Sequence, residues 1–164
     1  MERTMQRLSD VLWRGRELLE GLQYALEVEQ LILASGRTQW LLRAAKDVEA
    51  VLEDMRRTEV MRAVAADQAA AALGLGPNPS LRDLAAVAAE PWGEILTDHR
   101  DAFMTMTRQI TELADANRDL ITSGYRSARE TLMALGDATD GYTADGSAVV
   151  SAAPGGPSRV DRVF

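Results

Sequence analysis

The sequence lacks cysteine and has a single histidine, His99, among its 164 residues. Without cysteine the chain can form no disulfide framework, thiol nucleophile or zinc–thiolate site. One histidine also excludes a histidine-based metal cluster, so we expect neither a metal site nor a cofactor. Because no triad or other catalytic constellation surrounds His99, we do not expect an enzyme.

Basic residues and long apolar runs are also scarce. The chain has 18 Lys and Arg against 25 Asp and Glu, a net charge of −7. Phosphate binding depends largely on Lys and Arg, so nucleic acid is not expected as a partner. No apolar run approaches the roughly 20 residues of a membrane span, so no membrane insertion is expected. Residues 1–4 begin no apolar stretch followed by a cleavage site, which predicts a cytoplasmic protein.

Helical periodicity is the main pattern that the sequence does contain. Over residues 4–34, apolar side chains recur at alternating steps of three and four, the spacing of a packed helical seam. The large apolar residues of this seam are Met5, Leu8, Leu12, Leu19, Leu22, Leu26 and Leu33. Gly36 predicts a left-handed stop, and so short a break favours an antiparallel helical hairpin with the next segment.

The second helix is predicted over residues 38–73. Its apolar stripe thins after Met55 into an alanine-rich stretch, residues 63–72. Alanine favours helix strongly but buries little area. We therefore expect the end of this helix to be helical but weakly anchored.

Two further helices are predicted, a short one over residues 81–89 and a long one over residues 91–135. Ser80 and Asp83 form a variant of the capping box at the start of the short helix. Gly136 is the predicted end of the long helix. The stripe of the long helix alternates steps of four and three through Trp92, Leu96, His99, Phe103, Met106, Ile110, Leu113, Asn117, Leu120 and Gly124.

Two polar residues interrupt this last stripe. His99 is interpreted as a tolerated polar residue at a helix seam. Asn117 has two readings: a buried asparagine that fixes register at a cost in stability, or a polar group in a part of the stripe left open for a partner.

The composition changes after residue 136, where Gly, Ala, Ser, Asp and Pro dominate. Such a segment cannot bury enough surface to offset the entropy of ordering it. We therefore expect a helical bundle over residues 1–136 and a flexible tail over residues 137–164. The predicted fold is all-α: an elongated antiparallel helical hairpin or coiled-coil bundle with a long C-terminal helix and a disordered tail. Its seams could be satisfied within one chain or in a homodimer.

This arrangement resembles the FlgN family of flagellar type III export chaperones. Residues 112–121, Glu-Leu-Ala-Asp-Ala-Asn-Arg-Asp-Leu-Ile, are similar to the family's pattern of leucine and then asparagine, followed three residues later by leucine and another aliphatic residue. Residues 142–146, Tyr-Thr-Ala-Asp-Gly, are similar to its Tyr-x-Ala-Asp-Gly signature. With the acidic chain and the opening hairpin, the resemblance spans residues 1–146.

The resemblance implies a cytosolic escort without enzyme activity. Such chaperones bind the C-terminal helical ends of the hook–filament junction proteins FlgK and FlgL, prevent premature assembly and deliver them to the export gate protein FlhA. The resemblance places substrate binding at Leu113, Asn117, Leu120, Ile121, Gly124, Ala128, Leu132 and Leu135. It places docking on the export gate at Tyr142, Asp145 and Gly146.

A different class remains as the alternative: a coiled-coil scaffold, or a secreted helical hairpin of the WXG type. Against the secreted hairpin, the break at residues 35–37 reads Ser-Gly-Arg and not Trp-x-Gly. Against a plain scaffold stands the signature at residues 142–146, for which a scaffold has no need.

Overall fold

The computed structural model describes the backbone of residues 1–140 and the side chains of residues 1–136. This part of the chain is all-α, as predicted, and contains no strand. Its α-helices are α1 (Glu2–Ser35), α2 (Leu41–Leu73), α3 (Leu81–Val87) and α4 (Trp92–Asp140). The chain divides into two units, Met1–Ile121 and Thr122–Phe164, a division earlier than the boundary predicted at residue 136.

Left-handed glycines end the first two helices. Gly36, with a φ of 69°, follows α1 as predicted, and Gly74, with a φ of 75°, follows α2. Between α1 and α2 the chain forms a 3₁₀ turn over Thr38–Trp40, in which the Trp40 N–H donates to the Arg37 carbonyl at 3.1 Å. This turn makes α2 begin at Leu41 and not at residue 38.

The predicted capping box starts α3. The Asp83 N–H donates to Ser80 Oγ at 3.1 Å, and the Ser80 N–H donates to Asp83 Oδ2 at 3.1 Å. The helix ends at Val87, before the predicted residue 89, because Ala88 has an extended backbone with a ψ of 137°. The last helix then begins at Trp92.

Gly136 does not end α4, which continues to Asp140. Glycine weakens a helix interior by about 1 kcal/mol relative to alanine, but it stops a helix only where it turns into the left-handed region. Gly136 keeps a negative φ, unlike Gly36 and Gly74, so the prediction of a stop at this position was wrong.

The alanine-rich end of α2 is the most deeply buried part of that helix. Its small side chains lie in one core cluster, called the alanine cluster, with exposures of 2% or less. The cluster consists of Met5, Leu8, Leu12, Ala65, Ala66, Ala69, Ala70, Leu84 and Leu96. The expectation of weak anchoring was therefore wrong. Alanine adds little area of its own, but it lets large side chains of the neighbouring helices approach the α2 backbone closely.

A second cluster, the leucine cluster, occupies the other part of the first unit. It consists of Leu19, Leu22, Leu26 and Ile110, with Val48, Val51, Leu52, Met55, Phe103, Met106, Leu113 and Ala114 packed around it. The first turns of α1 therefore pack against the end of α2 in the alanine cluster. The later turns of α1 pack against the earlier turns of α2 in the leucine cluster. The two helices are antiparallel, as the predicted hairpin requires.

Helices α1 and α4 run parallel within the first unit. Two side-chain contacts join them, Ser9 to His99 and Asn117 to Leu26, across sequence separations of 90 and 91 residues. The nearly equal separations show that the two helices stay in register between these contacts. Polar groups at otherwise apolar seams are known to specify register in this way.

Candidate protein-binding surface

Asn117 lies in the core of the first unit. It is 3% exposed, and its Nδ2 donates a hydrogen bond to the Leu26 carbonyl oxygen at 2.9 Å. Leu113, one helical turn earlier, packs against the leucine cluster. Of the two readings of Asn117, the structure shows the buried asparagine at a seam. These two predicted residues are therefore turned toward α1 and not toward solvent.

His99 is also a core residue. It is 1% exposed and meets the edge of the Trp13 ring at 5.0 Å between centroids. The Phe103 ring stacks against it at 6.4 Å, and its Nε2 lies 3.5 Å from Ser9 Oγ. This packing agrees with the interpretation of His99 as a polar residue tolerated at a seam.

The surroundings of His99 keep its ring uncharged at neutral pH. Burial is the main cause that lowers the pKa of His99 below its ordinary value, and the nearby positive charge of Arg16 adds to the effect. Asp98 opposes the shift without overcoming it. A neutral ring costs less to bury beside aromatic side chains than a charged one.

The first unit also contains an open apolar cavity of about 390 Å³. Its walls include Leu12, Leu19, Met55 and Phe103, together with the backbone of Gly15. A Cβ atom at Gly15 would lie 3.1 Å from the Phe103 ring, which is closer than ordinary van der Waals contact. The ring of Phe103 thus occupies the space that a side chain at residue 15 would need.

Two described carboxylates, those of Glu59 and Asp83, belong to an ion pair and to a helix cap. Glu59 and Asp83 have a lowered pKa because each accepts hydrogen bonds, from Arg62 and Ser80 respectively. A lowered pKa suits an ion pair or a helix cap, whereas a general acid needs a raised one. Within residues 1–136, no group of acidic or histidine side chains is placed to hold a metal ion.

The predicted binding residues become exposed toward the end of the first unit. Leu120 is 38% exposed and Ile121 is 45% exposed, in contrast to the buried Asn117 one turn before them.

In the second unit every described side chain, from residue 122 to residue 136, is exposed. Leu132 is 69% exposed and Leu135 is 58% exposed, with the smaller Gly124 and Ala128 in the same stretch. A Cβ atom added to Gly124 would meet nothing within 4 Å, so no neighbouring group in the chain requires glycine there.

Tyr125 belongs to the same surface, although the sequence reasoning missed it. It is 72% exposed and lies three residues before Ala128, which is followed at steps of four and three by Leu132 and Leu135. This is heptad spacing, and it includes Tyr125 in place of its neighbour Gly124, the residue at which the predicted stripe ends. The four residues Tyr125, Ala128, Leu132 and Leu135 form what we call the exposed stripe.

The three residues predicted to dock on the export gate, Tyr142, Asp145 and Gly146, lie outside the described residues. No helix within the described part of the chain is long and apolar enough to cross a membrane.

These observations define a class of protein: a helical bundle whose last helix carries an exposed, heptad-spaced apolar stripe in the second unit. The family model for "FlgN protein" matches residues 1–149. The chain belongs to the FlgN family. No curated protein and no solved structure matches it. FlgN proteins are flagellar export chaperones and not enzymes, and they bind hook-associated proteins.

Proposed function

We propose that the chain acts in the cytoplasm on hook–filament junction proteins of the FlgK and FlgL type. It binds their C-terminal helical regions, prevents their premature assembly and delivers them to the export gate protein FlhA. The observation that carries this proposal is the exposed stripe of the second unit. There, Tyr125 and Leu132 each present more than two thirds of their surface to solvent.

Burial of the exposed stripe by a partner helix supplies the driving force for binding. Complete burial of one leucine side chain contributes roughly 1.5–3 kcal/mol, and the stripe contains two leucines and a tyrosine. Heptad spacing places these side chains on one face, where a partner helix with the same spacing can contact all of them. In the first unit, Leu120 and Ile121 are separate exposed apolar residues of the predicted set.

The buried members of the predicted set have a different part in this proposal. Asn117 and Leu113 fix the position of α4 against α1 in the first unit, and so act on substrate binding through the fold.

Gly124 and Ala128 present little side-chain bulk, which allows a partner backbone to approach closely.

The test compares two leucines with the same exposure. Leu132 and Leu42 are each 69% exposed, on α4 and α2 respectively. Calorimetry measures binding of the full chain to the C-terminal segment of the FlgK-type protein encoded in the same genome. We expect Leu132→Asp to weaken binding by about a hundredfold, because a buried leucine is replaced by a charge. Leu42→Asp is expected to leave the affinity unchanged.

Two outcomes would contradict this placement. The first is unchanged affinity for Leu132→Asp, and the second is an equal loss for Leu42→Asp. Circular dichroism of both variants checks that helicity is retained. If the chain alone sediments as a dimer and Leu132→Asp makes it a monomer, the exposed stripe is an interface between two copies.

Docking on the export gate has its own test. We expect Tyr142→Ala to weaken binding to the cytosolic domain of FlhA by about tenfold and to spare binding of the FlgK-type segment. Tyr24→Ala, at a tyrosine of α1 that is 69% exposed, is the control. Unchanged binding of Tyr142→Ala to both partners would show that Tyr142 has no part in docking.

A further inference from the structure

The exposed stripe lies in a locally basic segment of an acidic chain. Between residues 122 and 136 the charged side chains are Arg126, Arg129 and Glu130, a local charge of one positive unit. The whole chain has a net charge of −7. This basic excess is confined to residues 122–136, because the acidic residues Asp119 and Asp137 flank it in the sequence.

Arg129 lies directly beside the exposed stripe. It follows Tyr125 by four residues and precedes Leu132 by three, and on a helix both spacings place side chains next to each other. Arg126, three residues before Arg129, lies farther round the helix, on the side away from the stripe and near Glu130, so Arg129 is the arginine that flanks the stripe. At about 100° per residue, Glu130 lies on the side of the helix opposite to the stripe.

The other edge of the exposed stripe has no charge. Gly124, four residues before Ala128, and Thr131, three residues after Ala128 and four before Leu135, form this edge. The stripe therefore has one basic edge and one neutral edge. In paired helices, charges at the edges of the apolar seam set the choice of partner and its orientation.

The two arginines differ from many arginines of the first unit. There, Arg14 pairs with Glu17 at 3.2 Å and Arg62 with Glu59 at 2.6 Å, each across one helical turn. Within the described residues, Arg126 and Arg129 form no ion pair, although Glu130 lies four residues after Arg126. Both side chains are exposed.

We infer that the partner of the exposed stripe is an amphipathic helix with acidic side chains along one edge of its apolar face, which pair with Arg129. This inference rests on the proposed function, because it specifies the chemistry of the segment that the stripe binds. The apolar stripe supplies most of the affinity, and the basic edge selects the partner and its orientation.

Reversal of both charges tests the inference. We expect Arg126→Glu with Arg129→Glu to weaken binding of the FlgK-type C-terminal segment by about tenfold, since the attractive pair at Arg129 becomes repulsive and Arg126→Glu adds a negative charge nearby. The control is Arg3→Glu with Arg7→Glu on α1. It changes the net charge equally at exposed arginines that form no ion pair within the described residues. The control is expected to stay within about twofold of the unchanged chain.

The dependence of the binding affinity on salt gives a second check of the charge reversal. Raising NaCl from about 50 mM to about 300 mM should reduce the difference between the charge-reversed and unchanged chains, because exposed pairs are screened. Equal affinities of the two chains at low salt, with Leu132→Asp still abolishing binding, would overturn the inference and leave the proposed function standing.

A second probe separates the inference from the identity of the natural partner. Two synthetic heptad peptides share leucines at the apolar positions and differ only in having glutamate or lysine at the flanking positions. The net charge of −7 favours the lysine peptide at long range. Tighter binding of the glutamate peptide, lost on reversal of Arg126 and Arg129, therefore supports the inference even if no FlgK-type segment binds. Equal or weaker binding of the glutamate peptide overturns it.

Discussion

Helix α4 places the same kind of side chain in two opposite environments. In the first unit Leu96 is fully buried in the alanine cluster, whereas in the second unit Leu132 is 69% exposed. Both belong to heptad-spaced apolar stripes of one helix. The comparison shows that such periodicity predicts a face that will be covered, without saying whether the chain or a partner covers it.

The largest expected effect is on stability, and it separates the two leucines directly. Leu96→Ala should lower the free energy of unfolding by about 2–5 kcal/mol, because it opens a cavity in a closely packed cluster. Leu132→Ala should change it by no more than about 0.5 kcal/mol. Urea unfolding followed by circular dichroism measures both. Similar losses for the two variants would show that the chain itself buries Leu132.

A smaller loss of stability is expected when a larger side chain is placed in the alanine cluster. Ala69 is fully buried in the cluster that contains Leu96, whereas Ala63, on the same helix, is exposed. Ala69→Leu should lower the free energy of unfolding by about 1–3 kcal/mol, because the neighbouring side chains must move. Ala63→Leu should be nearly neutral. If Ala69→Leu proved neutral as well, the alanines would not be required for close packing of α2.

The smallest expected effect is a dependence of stability on pH. The folded state lowers the pKa of His99, so on acidification the unfolded chain binds a proton first, near its ordinary pKa of about 6.5. The free energy of unfolding should therefore decrease as pH falls from about 7 toward the lower folded pKa.

The variant His99→Gln has no group that titrates in this range and serves as the control for the pH effect. Urea unfolding of both chains at several pH values gives the comparison. An identical pH dependence in the two chains would assign the effect to the carboxylates and not to His99.

The structure bears out the predicted seam of α1 from Met5 to Leu26, whereas Leu33 is only partly buried. Large aliphatic side chains at steps of three and four must be buried by some neighbour, so Leu8 and Leu22 are core residues whichever helix covers them. The burial of Ala69 could not be predicted in this way. An alanine is buried only if other helices approach closely, and that depends on side chains far away in the sequence.

Prediction of the candidate site is limited in the same way, because burial depends on contacts with residues distant in the sequence. Sequence reasoning selected Leu120, Ile121 and Leu132, and the structure places all three at the surface. The sequence alone could not decide whether Asn117 is buried at a seam or open to a partner, because the deciding hydrogen bond is to Leu26, 91 residues away. Tyr125 was missed although its heptad spacing was visible, because its neighbour Gly124 had been assigned to the seam.

The close approach of Gly15 and Phe103 has an evolutionary consequence. Phe103 packs against both clusters of the first unit, and a Cβ atom at residue 15 would lie only 3.1 Å from its ring, so the ring would have to shift from this packing. The two positions should therefore change together during divergence of the family. A relative with a larger residue at the position of Gly15 should have a smaller one at the position of Phe103, and a lineage that alters only one of them should lose stability.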